Sequence, residues 1–370
     1  MKITARIELP KKITAKFKEL KMPLSGGYDK GYEDGYKEGF DEGRVDIPVI
    51  TGDISYMFAS GAWDWFLDMF GEDAIKTENI TNARNVFYQY PKSVLPKIKF
   101  NLKAGAYVDF FFAESNIEDI DNYLEGITCG NMQNLFSYCK YLKTISNDFF
   151  NSMDLSKATS CAGVFNSCYS LRKIPDLRNF HNIPTSTTLY SSLFNGCYTV
   201  DEIVDIPVIL NKADNTSNKF YSTFSTCKRA KDITFETNNG EPIVITRTCK
   251  SQTIDLSSNV GYNTGGKTET NIIGYNSGIT SDKYVDNAEK FEELKNDPDW
   301  FGNLEYSRYN IDSAIRTIAS LPDVSGGSSN VIKFKGTAGS GSASDGRTIN
   351  QMTEEEIAVA TAKGWTVSFA

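Results

Sequence analysis

Residues 134–142 read Asn134-Leu135-Phe136-Ser137-Tyr138-Cys139-Lys140-Tyr141-Leu142, and Ile145 follows shortly after. Phenylalanine, then apolar residues three, six and nine positions on, returns as Phe165, Cys168, Leu171 and Ile174. It returns again as Phe194, Cys197, Val200 and Ile203, and once more as Phe224, Cys227, Ala230 and Ile233. The phenylalanines at 136, 165, 194 and 224 set periods of 29, 29 and 30 residues. Weaker copies lie upstream: Phe111 with Ile117 and Ile120, Phe87 with Tyr90, and Phe58 with Gly61 and Leu67.

One such unit cannot bury its apolar side, but stacked units share a continuous core, so the period predicts a solenoid. Phenylalanine and cysteine three apart are expected on one face of a short helical turn, with the later pair leading into a short extended segment. Four of the seven cysteines fall at one repeat position. Cysteine behaves there as a small buried hydrophobe, and the absence of a CxxC pair argues against a metal or redox role.

The unit (Met/Leu)-Phe-x-x-Cys-x-x-Leu-x-x-Ile resembles the BspA-type leucine-rich repeat, and Phe194-Asn195-Gly196-Cys197 matches that family's frequent Phe-x-Gly-Cys form. The resemblance covers roughly residues 50–256 and is strongest over 130–235. It implies a leucine-rich-repeat solenoid in a surface protein that binds other molecules and is not an enzyme. The expected fold class is α/β, with short helix–strand units over 49–256, an N-terminal segment 1–48 and a connector with a C-terminal helix–strand cap over 257–370.

The N-terminal segment carries its own repeat. Tyr28, Tyr32, Tyr36 and Phe40 form one column at a spacing of four, and Gly31, Gly35, Gly39 and Gly43 form another. On a helix these would be two adjoining ridges suited to close approach of several subunits, because glycine in a helix costs about 1 kcal/mol each that association must offset. Such Tyr-x-x-Gly repeats resemble those near the N-termini of phage virion proteins, which implies attachment to other virion proteins and a homo-oligomer, by that resemblance a trimer. At the other end, Ile311, Ile315 and Ile318 mark an amphipathic helix, Val331–Phe334 a strand, Thr353 and Glu356 a capping box, and Trp365–Phe369 a final strand. This ending resembles a terminal module of tail-associated proteins of gut and clostridial phages, and physically it would cap an exposed solenoid end.

Composition narrows the chemistry. The chain has 370 residues, 39 Lys+Arg against 47 Asp+Glu and a net charge of −8. That balance, without a long basic cluster, argues against nucleic-acid binding. No apolar run reaches the roughly 18 residues that cross a bilayer, and no signal-peptide core is present, so synthesis in the host cytoplasm and release within a virion is the expected route. The single histidine, His181, excludes two-histidine catalysis and histidine-rich metal sites. No cofactor is expected. Gly261-Tyr262-Asn263-Thr264-Gly265-Gly266-Lys267-Thr268 satisfies the phosphate-loop string, but the glycine- and asparagine-rich residues after it are unlike the helix that chemistry needs. Gly339 and Gly341 lack the third glycine of a dinucleotide motif, and Asp297, Asp299 and Gly302 only partly resemble a calcium loop.

The candidate recognition face comprises the residues after each repeat cysteine, Lys140, Tyr169, Tyr198 and Lys228, with Lys143, Arg172, Lys173, Asp201, Glu202 and Lys231 between the apolar anchors. Aligned tyrosines among mixed charges suit a bacterial surface glycan or protein.

Overall fold

The computed structural model describes residues 4–8, 20–21, 49–72, 75–184, 190–210, 218–227, 229–246, 250–257, 296, 298, 309–325, 329–336 and 346–370. They form a mixed α/β structure with few helices and several short sheets, most of them parallel. The tyrosine and glycine columns of residues 28–43 lie outside the described residues.

Strands β1 (Thr4–Glu8) and β2 (Leu20–Lys21) pair antiparallel, and β1 pairs antiparallel with β3 (Val49–Asp53). The N-terminal segment therefore contributes strands to the sheet beside the first unit. From β3 onward, β4 (Lys76–Asn82), β5 (Leu102–Tyr107) and β7 (Cys129–Asn131) add in parallel, one per unit. A second series lies after the turns. There β6 (Asp119–Ile120) pairs with β8 (Thr144–Ile145), and β9 (Glu202–Ile206) pairs with β10 (Asp232–Phe235), both in parallel.

The residues around each phenylalanine do not form the expected short helix. They form consecutive turns, because the backbone enters the left-handed region two residues before and two residues after every phenylalanine. Asn134 and Tyr138 flank Phe136 at φ of 55° and 60°, and Ser222 and Thr226 flank Phe224 at 52° and 61°. Left-handed residues interrupt a helical ladder, so the amide donors divide into two sets. Met132, Asn134, Phe136 and Tyr138 donate to Ser160, Ala162, Val164 and Asn166 of the next unit at 3.1, 2.8, 3.0 and 2.7 Å. Leu135, Ser137 and Cys139 close turns onto Met132, Asn134 and Phe136 at 3.2, 3.1 and 3.0 Å. Alternate donors thus join units together and hold each unit's shape. Asp53, Asn82 and Asn131 begin their turns by accepting the backbone N–H two residues on, at 2.9, 3.1 and 3.1 Å.

Seven phenylalanines stack along the units: Phe58, Phe87, Phe112, Phe136, Phe165, Phe194 and Phe224. Successive ring centroids are 5.2–6.3 Å apart and the planes lie within 25°. The ladder places Phe112, not Phe111, in this column, since Phe112 N donates to Leu135 O just as Phe136 N donates to Val164 O. Phe111 instead occupies the place of Leu135, one residue earlier. Ile120 still pairs with Ile145, so that unit is one residue short between its turn and its strand. This deletion is why the apolar spacing alone selects the wrong phenylalanine. The repeat anchors are buried, except that Ile174 is only partly covered.

The cysteine column does more than fill space. The thiols of Cys139, Cys168, Cys197 and Cys227 donate to the carbonyls of Phe112, Phe136, Phe165 and Phe194 of the preceding unit, at 3.0, 3.1, 3.2 and 3.2 Å. Ser115 holds the same place in its own unit and meets Cys139 Sγ at 3.5 Å. Burial pushes the Cys129 and Cys139 thiols up to about 12 and raises those of Cys161, Cys168 and Cys197 well above the usual range. We therefore expect these five thiols to resist a disulfide reagent in the native protein at pH 8 and to react on denaturation. The sign of the linkage follows. A raised folded-state value contributes stability below the pH where an unfolded cysteine ionises, roughly 8.5. That contribution declines as the pH rises through the folded value, so equilibrium unfolding should show stability falling steeply above about pH 9.

Left-handed backbone costs roughly 1–2 kcal/mol for a residue bearing a Cβ, and more where it is β-branched. Thr226 is the β-branched case, whereas the equivalent position one unit earlier in the column is Gly196, at φ 75°. Thr226→Gly should stabilise the protein by about 0.5–1 kcal/mol in urea unfolding, after allowing for glycine's greater unfolded-state freedom. The reverse change, Gly196→Thr, should destabilise, because its Cβ would sit 3.0 Å from Ser167 Oγ and 3.1 Å from Ser167 Cα.

Helix α1 (Asp64–Phe70) follows the first turn. Near the C-terminus, α2 (Ile311–Ser320) starts at Asn310, whose side chain accepts from Ser313 N, and packs along β10. It meets that strand's polar backbone with hydroxyls: Thr317 Oγ1 donates to Ile233 O at 2.7 Å and Phe235 N donates to Ser320 Oγ at 3.0 Å. Arg316 adds an ion pair with Asp232. Covering a strand edge in this way removes a pairing surface. Strands β11 (Thr253–Asp255), β12 (Asn330–Phe334) and β13 (Trp365–Phe369) form a parallel sheet, so pairing crosses the boundary expected after residue 256. Helix α3 (Glu354–Ala362) begins with the Thr353/Glu356 capping box.

Candidate functional site

The residues following the repeat cysteines do not form a uniformly exposed row. Tyr169 is only 2% exposed. Its ring stacks on Tyr198 at 5.0 Å and 15°, because equivalent side chains in neighbouring units lie one strand spacing apart and cover each other. Lys140 and Tyr198 are half-buried, and Lys228 lies outside the described residues. Tyr169 thus contributes packing rather than an open aromatic face.

Several of the charged positions pair with opposite charges across the gap between units. Lys143 Nζ lies 3.3 Å from Glu118, and Lys231 Nζ lies 3.0 Å from Glu202. Arg229 pairs with Asp201. The hydrogen bond that Lys231 donates to Glu202 holds its ammonium above its ordinary pKa. Arg172 is half-buried and Lys173 is exposed. Pairs on a surface contribute little to stability, but they fix where each charge is presented.

A different outward surface emerges on the turns themselves, from the residues flanking each phenylalanine. In the first three turns it carries Tyr56, Arg84, Tyr88, Gln89 and Glu114, with Asp109 buried beside Arg84. Tyr56 meets Tyr88 edge-on, with centroids 6.2 Å apart. The Tyr88 hydroxyl donates to Glu114 Oε1 at 3.0 Å, and the Gln89 amide donates to Glu114 Oε2 at 2.9 Å. Burial and the Glu114 hydrogen bond push the Tyr88 phenol up to about 12, so it remains a donor. Alongside, the Arg84 guanidinium lies 4.7 Å over the Tyr107 ring and donates to Asp109 at 2.8 Å. Farther along, Asn166 and Asn195 continue the outward column through an amide–amide hydrogen bond of 3.1 Å. The four-residue spacing of turn residues around each phenylalanine was the available signal for this surface; reading that segment as helix hid it.

His181 sits in the 3-10 turn Arg178–Asn182, with Nε2 2.7 Å from Glu236 Oε2. Glu236 Oε1 in turn accepts Val208 N at 2.6 Å, so the imidazole belongs to an arrangement joining two units. Among the described residues no group of three His, Cys, Asp or Glu side chains is arranged to hold a metal ion. The phosphate-loop string 261–268, the glycines 339 and 341, and residues 297, 299 and 302 all lie outside the described residues. No described helix is long and apolar enough to cross a membrane. Comparisons with protein-family models, curated proteins and solved structures found no match.

Proposed function

We propose that residues 49–256 are a leucine-rich-repeat-like solenoid of the BspA type in a bacteriophage virion protein, a part of a tail fibre, tail tip or baseplate. In this reading the chain is a binding and structural protein, not an enzyme. Its N-terminal segment joins other virion proteins as a homo-oligomer, and its repeats present a surface to a bacterial glycan or protein. The observation that carries this reading is the unbroken stack of seven phenylalanines with its unit-to-unit backbone ladder. Such a stack sets equivalent side chains in straight outward columns, and an extended surface of repeated positions is what repeat proteins use for recognition. The helix over β10 is consistent with a terminal cap.

Mass spectrometry of purified phage particles, together with adhesion of the purified full chain to host cells, tests the proposal. Detection of the chain in particles and saturable adhesion are the expected results. Detection without adhesion at high valency would reduce its role to architecture. Absence from particles would overturn the virion assignment.

A further inference from the structure

The aromatic and carboxylate cluster on the first three turns has the composition and rigidity of a sugar-binding surface. Tyr56 and Tyr107 are 37% and 44% exposed, and both rings are flanked by fixed polar partners. We propose that Tyr56, Tyr88, Gln89 and Glu114, with Arg84 and Tyr107 beside them, bind a neutral glycan. The inference rests on reading the chain as a recognition protein, and it names the surface and ligand class within that reading.

Three observations support it. First, the left-handed turn positions are cheapest for glycine or small polar residues, and most of those in the later units are such residues: Asn134, Gly163, Ser192 and Ser222 before the phenylalanine, Ser167 and Gly196 after it, with Tyr138 and Thr226 the exceptions. The early units place Tyr56, Phe110, Gln89 and Glu114 at these same positions, at φ of 65°, 56°, 54° and 58°. Backbone strain is retained there for side chains that the turn itself does not need. Second, the cluster is preorganised. Glu114 is fixed through both oxygens by Tyr88 and Gln89, which leaves further acceptor capacity for sugar hydroxyls, while the exposed Tyr56 ring offers apolar surface for sugar C–H groups and Arg84 is held over the Tyr107 ring beside it. Third, the carboxylates of Asp53, Asp109 and Glu114 outnumber the Arg84 guanidinium, and the whole chain carries a charge of −8. That balance disfavours anionic polysaccharides and favours a neutral ligand.

The test applies the purified full chain to immobilised neutral oligosaccharides, with sialylated and uronic-acid glycans alongside, and to host cells. At least one neutral glycan should bind. Tyr56→Gly and Glu114→Gln should each weaken that binding at least tenfold, and Val359→Ala, on α3, should leave it unchanged. Because Tyr56→Gly also relieves a left-handed backbone, its Tm should stay within about 2 °C of wild type, which separates lost recognition from lost folding. Binding confined to anionic glycans, or neutral binding unaltered in both variants, would overturn the proposal. So would cell adhesion abolished by protease treatment of the cells, which would indicate a protein receptor. If both variants adhere to cells as wild type does, this site falls and the recognition reading stands. If the wild type adheres to neither glycans nor cells, both fall.

Discussion

Phe165→Ala should destabilise the protein by about 4 kcal/mol, the middle of the range for removing a buried aromatic ring. Phe165 is fully buried and touches rings on three sides: it stacks on Phe136 and Phe194 at 6.3 and 5.9 Å and meets Phe150 edge-on at 5.8 Å. Alanine would leave a cavity whose walls are held apart by the backbone ladder, since Phe165 N donates to Leu193 O at 3.1 Å irrespective of the side chain. The loss should therefore not be recovered by collapse. Because each unit contacts mainly its neighbours, hydrogen exchange should rise first around residues 136 and 194, with the C-terminal sheet less affected. Tyr221→Ala is the matched control. Its ring is 68% exposed, and the change should cost less than about 0.5 kcal/mol. A Phe165→Ala cost below about 1 kcal/mol in urea unfolding would mean that the ring column does not support the core.

Gly130→Ala should cost about 3 kcal/mol for a single added methyl. Its Cβ would stand 2.2 Å from the Gly105 carbonyl oxygen, 2.8 Å from the carbonyl carbon and 3.1 Å from Ala106 O. All three are backbone atoms of the neighbouring strand, so no rotamer change relieves the clash, and β5 must separate from β7. Gly126→Ala provides the contrast. Nothing lies within 4 Å of its added Cβ, and its cost should be only about 1 kcal/mol, from left-handed backbone at φ 74°. Equal effects at the two glycines would show that strand separation, not conformational preference, had been misjudged.

Much of the architecture is legible in the repeat. The column of Phe136, Phe165, Phe194 and Phe224 identifies residues that do stack. Thr353 and Glu356 locate the start of α3 because a capping box is a local signal. Turn geometry is less legible. Residues three apart share a face in a helix and also in consecutive turns, and only the recurrence of Asn, Ser and Gly two residues either side of phenylalanine distinguishes them. The Phe111/Phe112 ambiguity has another origin: adjacent buried aromatics both fit an apolar pattern, and a one-residue deletion shifts the flanking isoleucines. The burial of Tyr169 within the expected recognition face has a long-range cause. Whether a ring in one unit is covered depends on the ring in the next, here Tyr198, and not on its own local pattern.

The thiol contacts were hidden for a similar reason. A cysteine at a repeat position signals burial, but the carbonyl that Cys168 meets belongs to Phe136, 32 residues earlier.

The stacked register is tested most directly by cross-linking its outward column. Asn166 and Asn195 are joined by a 3.1 Å amide hydrogen bond, and Asn166 Nδ2 also reaches Ser137 Oγ at 3.2 Å. Neighbouring parallel strands lie about 4.8 Å apart, within the Cα separation a disulfide spans, whereas two units are about 10 Å apart and beyond it. Asn166→Cys with Asn195→Cys should form an intramolecular disulfide under mild oxidation, detected by mass spectrometry after proteolysis. Ser137→Cys with Asn195→Cys, which skips a unit, should not. Efficient bridging of the skipped pair, or none in the adjacent pair of a folded protein, would contradict the stack.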